Sequence, residues 1–245
     1  MNIKYFASVV IVTLFVISVG HAQAEEVLEL DSNFNGKIDQ WQHKSDKGAL
    51  KKIRYDTDED GKIDQIEEFE ASGKLKKVEF DTNHDGAMDQ VQSYSNNGKL
   101  VRIDKDTNFS GKFNLREFYR GDDQLQRIEL DENHDGKPEV WQFFKADRKI
   151  ERVEIDSDQD GKVDRWDIYN ERGELIKVAF DSDKDDKPDQ WQIFAEKEKL
   201  KRVEYDSNQD GKPDRWEHFN DAGKISKIEI DRNYDGKPDM VKREK

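Results

Sequence analysis

Apolar positions recur along this chain with a period of 25 residues and no insertion. Trp or an aliphatic residue stands at Trp41, Ile66, Val91, Trp141, Trp166, Trp191, Trp216 and Val241, with Arg116 the one departure. An aromatic follows three places later at Phe69, Tyr94, Tyr119, Phe144, Tyr169, Phe194 and Phe219. Leu or Ile then occupies 50, 75, 100, 125, 150, 175, 200 and 225, with Val or Ile three after each. A fixed period of this kind marks a repeat array whose neighbours share a thin core. A polar turn, holding Gly48, Gly73, Gly98, Gly173 or Gly223 in five copies, splits each apolar stretch into halves of about six residues, too short for stable helices. The halves are rich in Trp, Tyr, Phe, Val and Ile, which favours strands. The stretch "RWEHFNDAGKISKIEI" at 215–230 reads as strand, Gly-containing turn, strand, a β-hairpin. Its three-residue steps, Trp216 to Phe219 and Ile225 to Ile228, break strict alternation, so either each strand carries a bulge or both faces are partly buried. The expected fold is all-β: tandem 25-residue hairpins in an elongated, twisted meander or solenoid-like array, sixteen strands at about 4.8 Å spanning roughly 75 Å.

Acidic segments join the hairpins, all on one edge of the expected sheet. They open at Asp31, Asp56, Asp81, Asp106, Asp131, Asp156, Asp181, Asp206 and Asp231, and the copy "DSNQDGKPDRW" at 206–216 shows their form. Mutually repelling carboxylates crowded around a glycine become favourable once a hard divalent cation sits among them. Ca²⁺ takes six to eight oxygens, and a loop that offers side-chain oxygens at positions 1, 3, 5, 9 and 12, a carbonyl at 7 and a Gly at 6 supplies them. The candidate ligands are Asp31, Asn33, Asn35 and Asp39 in the first copy, then Asp56, Asp58, Asp60, Asp64 and Glu67 in the second. Asp81, Asn83, Asp85 and Asp89 serve in the third, and Asp106, Asn108 and Glu117 in the fourth, where Ser110 and Asn114 replace acids. The fifth to seventh copies offer Asp131, Asn133, Asp135 and Glu139, then Asp156, Asp158, Asp160, Asp164 and Asp167, then Asp181, Asp183, Asp185 and Asp189. The last two offer Asp206, Asn208, Asp210, Asp214 and Glu217, then Asp231, Asn233, Asp235 and Asp239. Asp186 stands where the other copies have Gly, and Lys occupies position 7 in eight of nine copies. By ligand charge, the copies opening at Asp56 and Asp156, with five carboxylates each, are expected to fill first and the Asp106 copy last. Mg²⁺ suits the pattern less, and with no Cys and five His, softer metals find few donors.

These loops resemble those of EF-hand proteins, and equally those of dockerins and thrombospondin type 3 repeats, across residues 31–242. The chain looks like a secreted bacterial protein with tandem EF-hand-type loops, and the resemblance implies calcium binding. It departs from the EF-hand in having no room for flanking helices, and Pro138, Pro188, Pro213 and Pro238 remove a backbone donor at position 8.

The N-terminal segment predicts an array outside the cytoplasm. Residues 6–19 are almost continuously apolar, Lys4 precedes them, and Ala22 and Ala24 stand at the small-residue positions of a cleavage site. Residues 1–24 therefore read as a signal peptide cut after Ala24, too short to span a membrane, and 25–245 as a nine-loop repeat domain, secreted or periplasmic, with no transmembrane segment. Beyond the leader, 41 basic against 56 acidic residues leave a net charge of −15, which disfavours a nucleic-acid partner. Catalysis is not expected, because every carboxylate pair has equivalents in the other copies. His84 and His134, at loop position 4, and His43 and His218, at position 13, read as surface or strand filler. The expected function is a calcium-stabilised structural, adhesive or protein-binding array, with a protein or a cell-surface glycan as its expected partner; the alternative is a glycan-binding array that stacks Trp41, Trp141, Trp166, Trp191 and Trp216 on sugar rings.

Overall fold

The computed structural model describes residues 26–121 and 123–243, so the leader at 1–24 lies outside the described residues. Eighteen strands follow one another: β1 (Glu26–Leu30), β2 (Gln40–Lys44), β3 (Leu50–Tyr55), β4 (Gln65–Phe69), β5 (Leu75–Phe80), β6 (Gln90–Tyr94), β7 (Leu100–Lys105), β8 (Leu115–Arg120), β9 (Gln124–Leu130), β10 (Val140–Phe144), β11 (Ile150–Ile155), β12 (Arg165–Tyr169), β13 (Leu175–Phe180), β14 (Gln190–Ala195), β15 (Lys199–Tyr205), β16 (Arg215–Phe219), β17 (Ile225–Ile230) and β18 (Met240–Arg243). Each strand pairs antiparallel with the next in sequence, and together they form one open 18-stranded sheet. The all-β hairpin meander read from the sequence is the observed fold, lengthened by β1 and β18. Two kinds of connection alternate, short polar turns on one edge and acidic loops on the other. In the first turn Ser45 N donates to Ala49 O and Gly48 N to Ser45 O, both at 2.8 Å, which requires the left-handed φ of +76° that Gly48 adopts.

Strand register explains the three-residue steps. Between β2 and β3, Leu50 pairs with Lys44 and Lys52 with His43, so Lys51 is an extra residue. The same bulge recurs in the second strand of every hairpin, at Lys76, Val101, Gln126, Glu151, Ile176, Lys201 and Ser226. The first strands carry none. Ile225 and Ile228 therefore share a face, whereas Trp216 and Phe219 point to opposite faces, so the expectation of a bulge in each strand holds for only one of the two.

One face collects the Val/Ile row, the aromatics and the Leu/Ile row; Ile53, Val78, Ile103, Val178 and Val203 are its buried members. The other carries the tryptophans beside a ladder of opposite charges. Along it Lys77 Nζ lies 3.0 Å from Glu79, Arg102 Nε 2.7 Å from Asp104, Arg152 Nε 2.7 Å from Glu154 and Lys227 Nζ 2.9 Å from Glu229. Arg152 also stacks 3.6 Å from the Phe143 ring centroid. Among the described residues no second layer covers either face, and no large side chain is fully buried. Trp191 is buried at 9% exposure, while the other four tryptophans are half-buried.

Candidate metal sites

Nine residues, not twelve, form each acidic loop, because the following strand begins at position 10. The second loop, 56–64, closes where Asp64 N donates to Tyr55 O at 2.8 Å, and Asp81 N of the third loop donates to Asp64 O at 2.8 Å. Two left-handed residues curl each loop. Position 4 has φ between +55° and +65° in all nine copies, and the position 6 glycines lie between +85° and +97°. Asp186 takes that conformation at +71° without a glycine's freedom.

This curl turns the carboxylates inward and fixes them on the backbone. In every loop one oxygen of the position 1 aspartate accepts the position 6 amide at 2.6–3.0 Å. In eight loops the position 5 side chain accepts the position 7 amide, as Asp60 does from Lys62 N at 2.8 Å. Position 9 holds position 2: Thr57 Oγ1 donates to Asp64 at 2.6 Å and Ser207 Oγ to Asp214 at 2.9 Å. Position 1 is buried in eight loops and half-buried at Asp31. Asp39, Asp64, Asp89, Glu139 and Asp214 at position 9 are buried as well.

Carboxylates converge most closely in four loops. Asp56, Asp58 and Asp60 of the second, Asp131, Asp135 and Glu139 of the fifth, Asp156, Asp158 and Asp164 of the sixth, and Asp181, Asp183 and Asp189 of the seventh each bring three oxygens within 4.8 Å of one another. Like charges at that range repel strongly out of water. Desolvation, with Asp185 and Asp189 adding their charge, accordingly holds the Asp183 carboxyl above its ordinary value. In the second and fifth loops Asp56 Oδ1 and Asp131 Oδ1 are buried without any hydrogen-bond partner. A buried carboxylate oxygen left unpaired carries a desolvation cost that a bound cation would offset.

Amides moderate the remaining loops. Asn83 donates to Asp85 at 3.0 Å, Asn208 to Asp210 at 3.2 Å and Asn233 to Asp235 at 3.4 Å. In the fourth loop Asn114, standing in for an acid, accepts from Thr107 N at 2.8 Å. Asp239 is exposed and accepts Arg232 N at 2.8 Å.

The position 12 residues lie elsewhere. Glu67, Glu117, Asp167 and Glu217 sit in strands, each opposite a Val or Ile. There Glu67 accepts from Gln65 at 2.9 Å, Lys105 Nζ lies 2.6 Å from Glu117, Arg165 Nε donates to Asp167 at 2.8 Å and Arg215 pairs with Glu217. The structure does not bring them to the loop clusters, because position 10 already pairs with the neighbouring strand and positions 10 to 12 extend along the sheet.

Consecutive loops touch, which the sequence reading missed. In six loops the left-handed position 4 aims its side chain at position 3 of the preceding loop, 26 residues earlier, whereas Phe109 and Tyr234 at the same position are exposed. Glu59 accepts from Asn33 at 2.8 Å and also from Asn35, and His134 meets Asn108 at 2.7 Å. Gln159 meets Asn133 at 3.1 Å, Lys184 pairs with Asp158, and Gln209 with Asp183. His84 Nδ1 stands 3.2 Å from Asp58 Oδ2 and 3.0 Å from Asp64 Oδ1. The hydrogen bond with Asp64 raises the His84 pKa above the ordinary imidazole value. Lys184 holds Asp158 below the usual carboxylate range. Two cavities of about 10 Å³ each, room for one water or one ion, lie at such junctions. One is bordered by Asp158, Asp160 and Asp164 of the sixth loop with Asp181 and Lys184 of the seventh, the other by Asp183, Asp185 and Asp189 with Asp206 and Gln209.

No known protein family matches this chain, and no curated protein matches it. Among solved structures, 51% of the chain is similar to 22% of a chain in the accessory secretory protein 1, 2 and 3 structure of Streptococcus pneumoniae, at 14% identity and a TM-score of 0.34. In the Photorhabdus luminescens Tc holotoxin pore, 85% of the chain aligns with 15% of that chain at 12% identity and a TM-score of 0.20. Likeness this low says nothing of function. Among the described residues no helix is long and apolar enough to cross a membrane.

Proposed function

We propose that this chain is a calcium-binding repeat protein that works outside the cytoplasm as a structural, adhesive or protein-binding module. The observation that carries the reading is the pair of buried, unpaired carboxylate oxygens, Asp56 Oδ1 and Asp131 Oδ1, each belonging to a trio of acids preformed by the loop backbone. Donors that are all oxygens, carboxylates with a few amides, suit a hard ion with six to eight ligands better than a softer one. Since position 12 is engaged on the sheet, water or a neighbouring loop completes the shell.

The ion's role in this reading is folding. Among the described residues the sheet has no second layer to supply hydrophobic stabilisation, and the loops concentrate negative charge along one edge. Nine sites held at ten times Kd would each add about 1.4 kcal/mol, together about 13 kcal/mol, comparable with an ordinary domain's whole stability of about 5–15 kcal/mol. Far-ultraviolet circular dichroism in millimolar calcium and in chelator tests it: strand signal present in the first and largely lost in the second is expected, and spectra that coincide would overturn the reading.

Glycan binding stays as a second reading because Trp141, Trp166, Trp191 and Trp216 stand on alternate strands of one face, spaced by about 9.6 Å, and three of these four are half-buried. Quenching of tryptophan fluorescence by oligosaccharides tests it; an unchanged spectrum across a panel would remove it.

A further inference from the structure

The junction of the second and third loops differs from the others in donor chemistry. At this junction alone among the described position 4 contacts, an imidazole faces two carboxylates. His84 Nδ1 lies 3.2 Å from Asp58 Oδ2 and 3.0 Å from Asp64 Oδ1, and the three donors fall within 4.8 Å of one another. Bonds of about 2.0–2.1 Å to a tetrahedral Zn²⁺ set donors about 3.3 Å apart, close to both distances. We propose that Asp58, Asp64 and His84 form a mixed nitrogen–oxygen site for a borderline divalent cation such as Zn²⁺, built by two loops and distinct in ion preference from the oxygen-only loops around it. The proposal rests on the metal-binding reading above but not on calcium being the ion elsewhere.

Three further observations support it. Asp58 belongs at once to this cluster and to the Asp56–Asp58–Asp60 trio, whose Asp56 Oδ1 is buried without a partner, so the second loop holds anionic oxygen that its own hydrogen bonds leave unanswered. The donors are preset by groups outside the cluster: Thr57 Oγ1 holds Asp64 through the oxygen that does not face His84, and Asp60 N holds Asp58 Oδ1, leaving Oδ2 for the imidazole. The equivalent junctions between the sixth and seventh and the seventh and eighth loops, where Lys184 and Gln209 hold position 4, enclose ion-sized cavities. Imidazole is a favoured ligand for zinc and its neighbours and a poor one for calcium. His134, at the same loop position, meets the neutral Asn108 and provides an internal control.

The experiment is calorimetric titration of zinc chloride into the full chain in saturating calcium, with Co²⁺ absorption as a spectroscopic readout of nitrogen ligation. One zinc ion per chain that calcium does not displace is expected, with a Co²⁺ visible band. His84→Ala should weaken zinc binding by about tenfold or more and abolish the band, Asp58→Asn should weaken it similarly, and His134→Ala should change neither. Circular dichroism in calcium confirms that each variant keeps its strands. Zinc binding unchanged in His84→Ala, or lost from the wild type when calcium saturates, would overturn the proposal. A chain that takes up no calcium would instead refute the calcium reading, and the dependence of zinc on His84 would still be measured.

Discussion

At the scale of single residues, the loops show how a local rule and a neighbour's reach combine. The glycine at position 6 was legible from the sequence as the loop's sharp turn, whereas the acids at positions 1, 3, 5 and 9 were read as ligands, and the structure adds that each is tied to its own loop's backbone. Position 4 was not legible. It varies among Phe, Glu, His, Gln, Lys and Tyr, and where it is Glu, His, Gln or Lys its partner lies 26 residues upstream, so nothing within one copy reveals what it touches. The consequence bears on the ranking by acid count. The sixth loop has five carboxylates in the twelve-residue frame, but Asp167 belongs to the sheet and Lys184 occupies Asp158. An exposed ion pair is a weak competitor, worth only a small factor in affinity. Lys184→Ala is therefore expected to tighten ion binding at the sixth loop by up to about fivefold, read as a shift in the calcium titration of the whole chain. No shift would show that the ammonium does not compete with the ion.

At the scale of elements, the hairpin was legible and its asymmetry was not. Both strands show the same three-residue apolar step, yet the bulge resolves only the second, since one extra residue per hairpin is enough to restore the pairing. The borrowed twelve-residue frame failed for a related reason: Glu67, Glu117, Asp167 and Glu217 look like ligands when counted from position 1 and like strand residues once position 10 pairs. The charge ladder also went unread, because lysine, arginine and glutamate on an exposed strand resemble ordinary solvated surface. Its pH dependence can be worked out. Burial alone would raise the Glu68 pKa, but Lys52 and Lys77 outweigh it and hold the carboxyl below its ordinary 4.5. That stabilisation is present above the unfolded value and is lost as pH falls through the folded one. For Lys77 burial opposes the charge, and Glu79 and Glu68 win, raising it above 10.5. That stabilisation is present below about 10.5 and is lost as pH rises through the folded value. Denaturant midpoints in calcium should thus decline at both extremes, and Glu68→Gln should flatten the acid limb. An acid limb identical in the variant would assign it to the loops alone.

At the scale of the whole molecule, eighteen strands leave seventeen gaps of about 4.8 Å, an extent of about 82 Å across the strands. A rod of that length has a radius of gyration of about 24 Å, against about 17 Å for a compact domain of this size. Solution scattering in calcium should give the larger value, and a result near 17 Å would mean that the sheet folds back on itself. The strict pairing of each strand with its sequence neighbours has a mechanical consequence. Tension applied at the two ends runs across the strands, so it opens ladder hydrogen bonds one after another instead of shearing many at once. Each released repeat of 25 residues lengthens the tether by about 85 Å when extended, less the breadth it occupied in the sheet. Single-molecule pulling in calcium should therefore record a low, serrated plateau, not one tall rupture, the signature of a spring that yields unit by unit and rewinds when the load is removed.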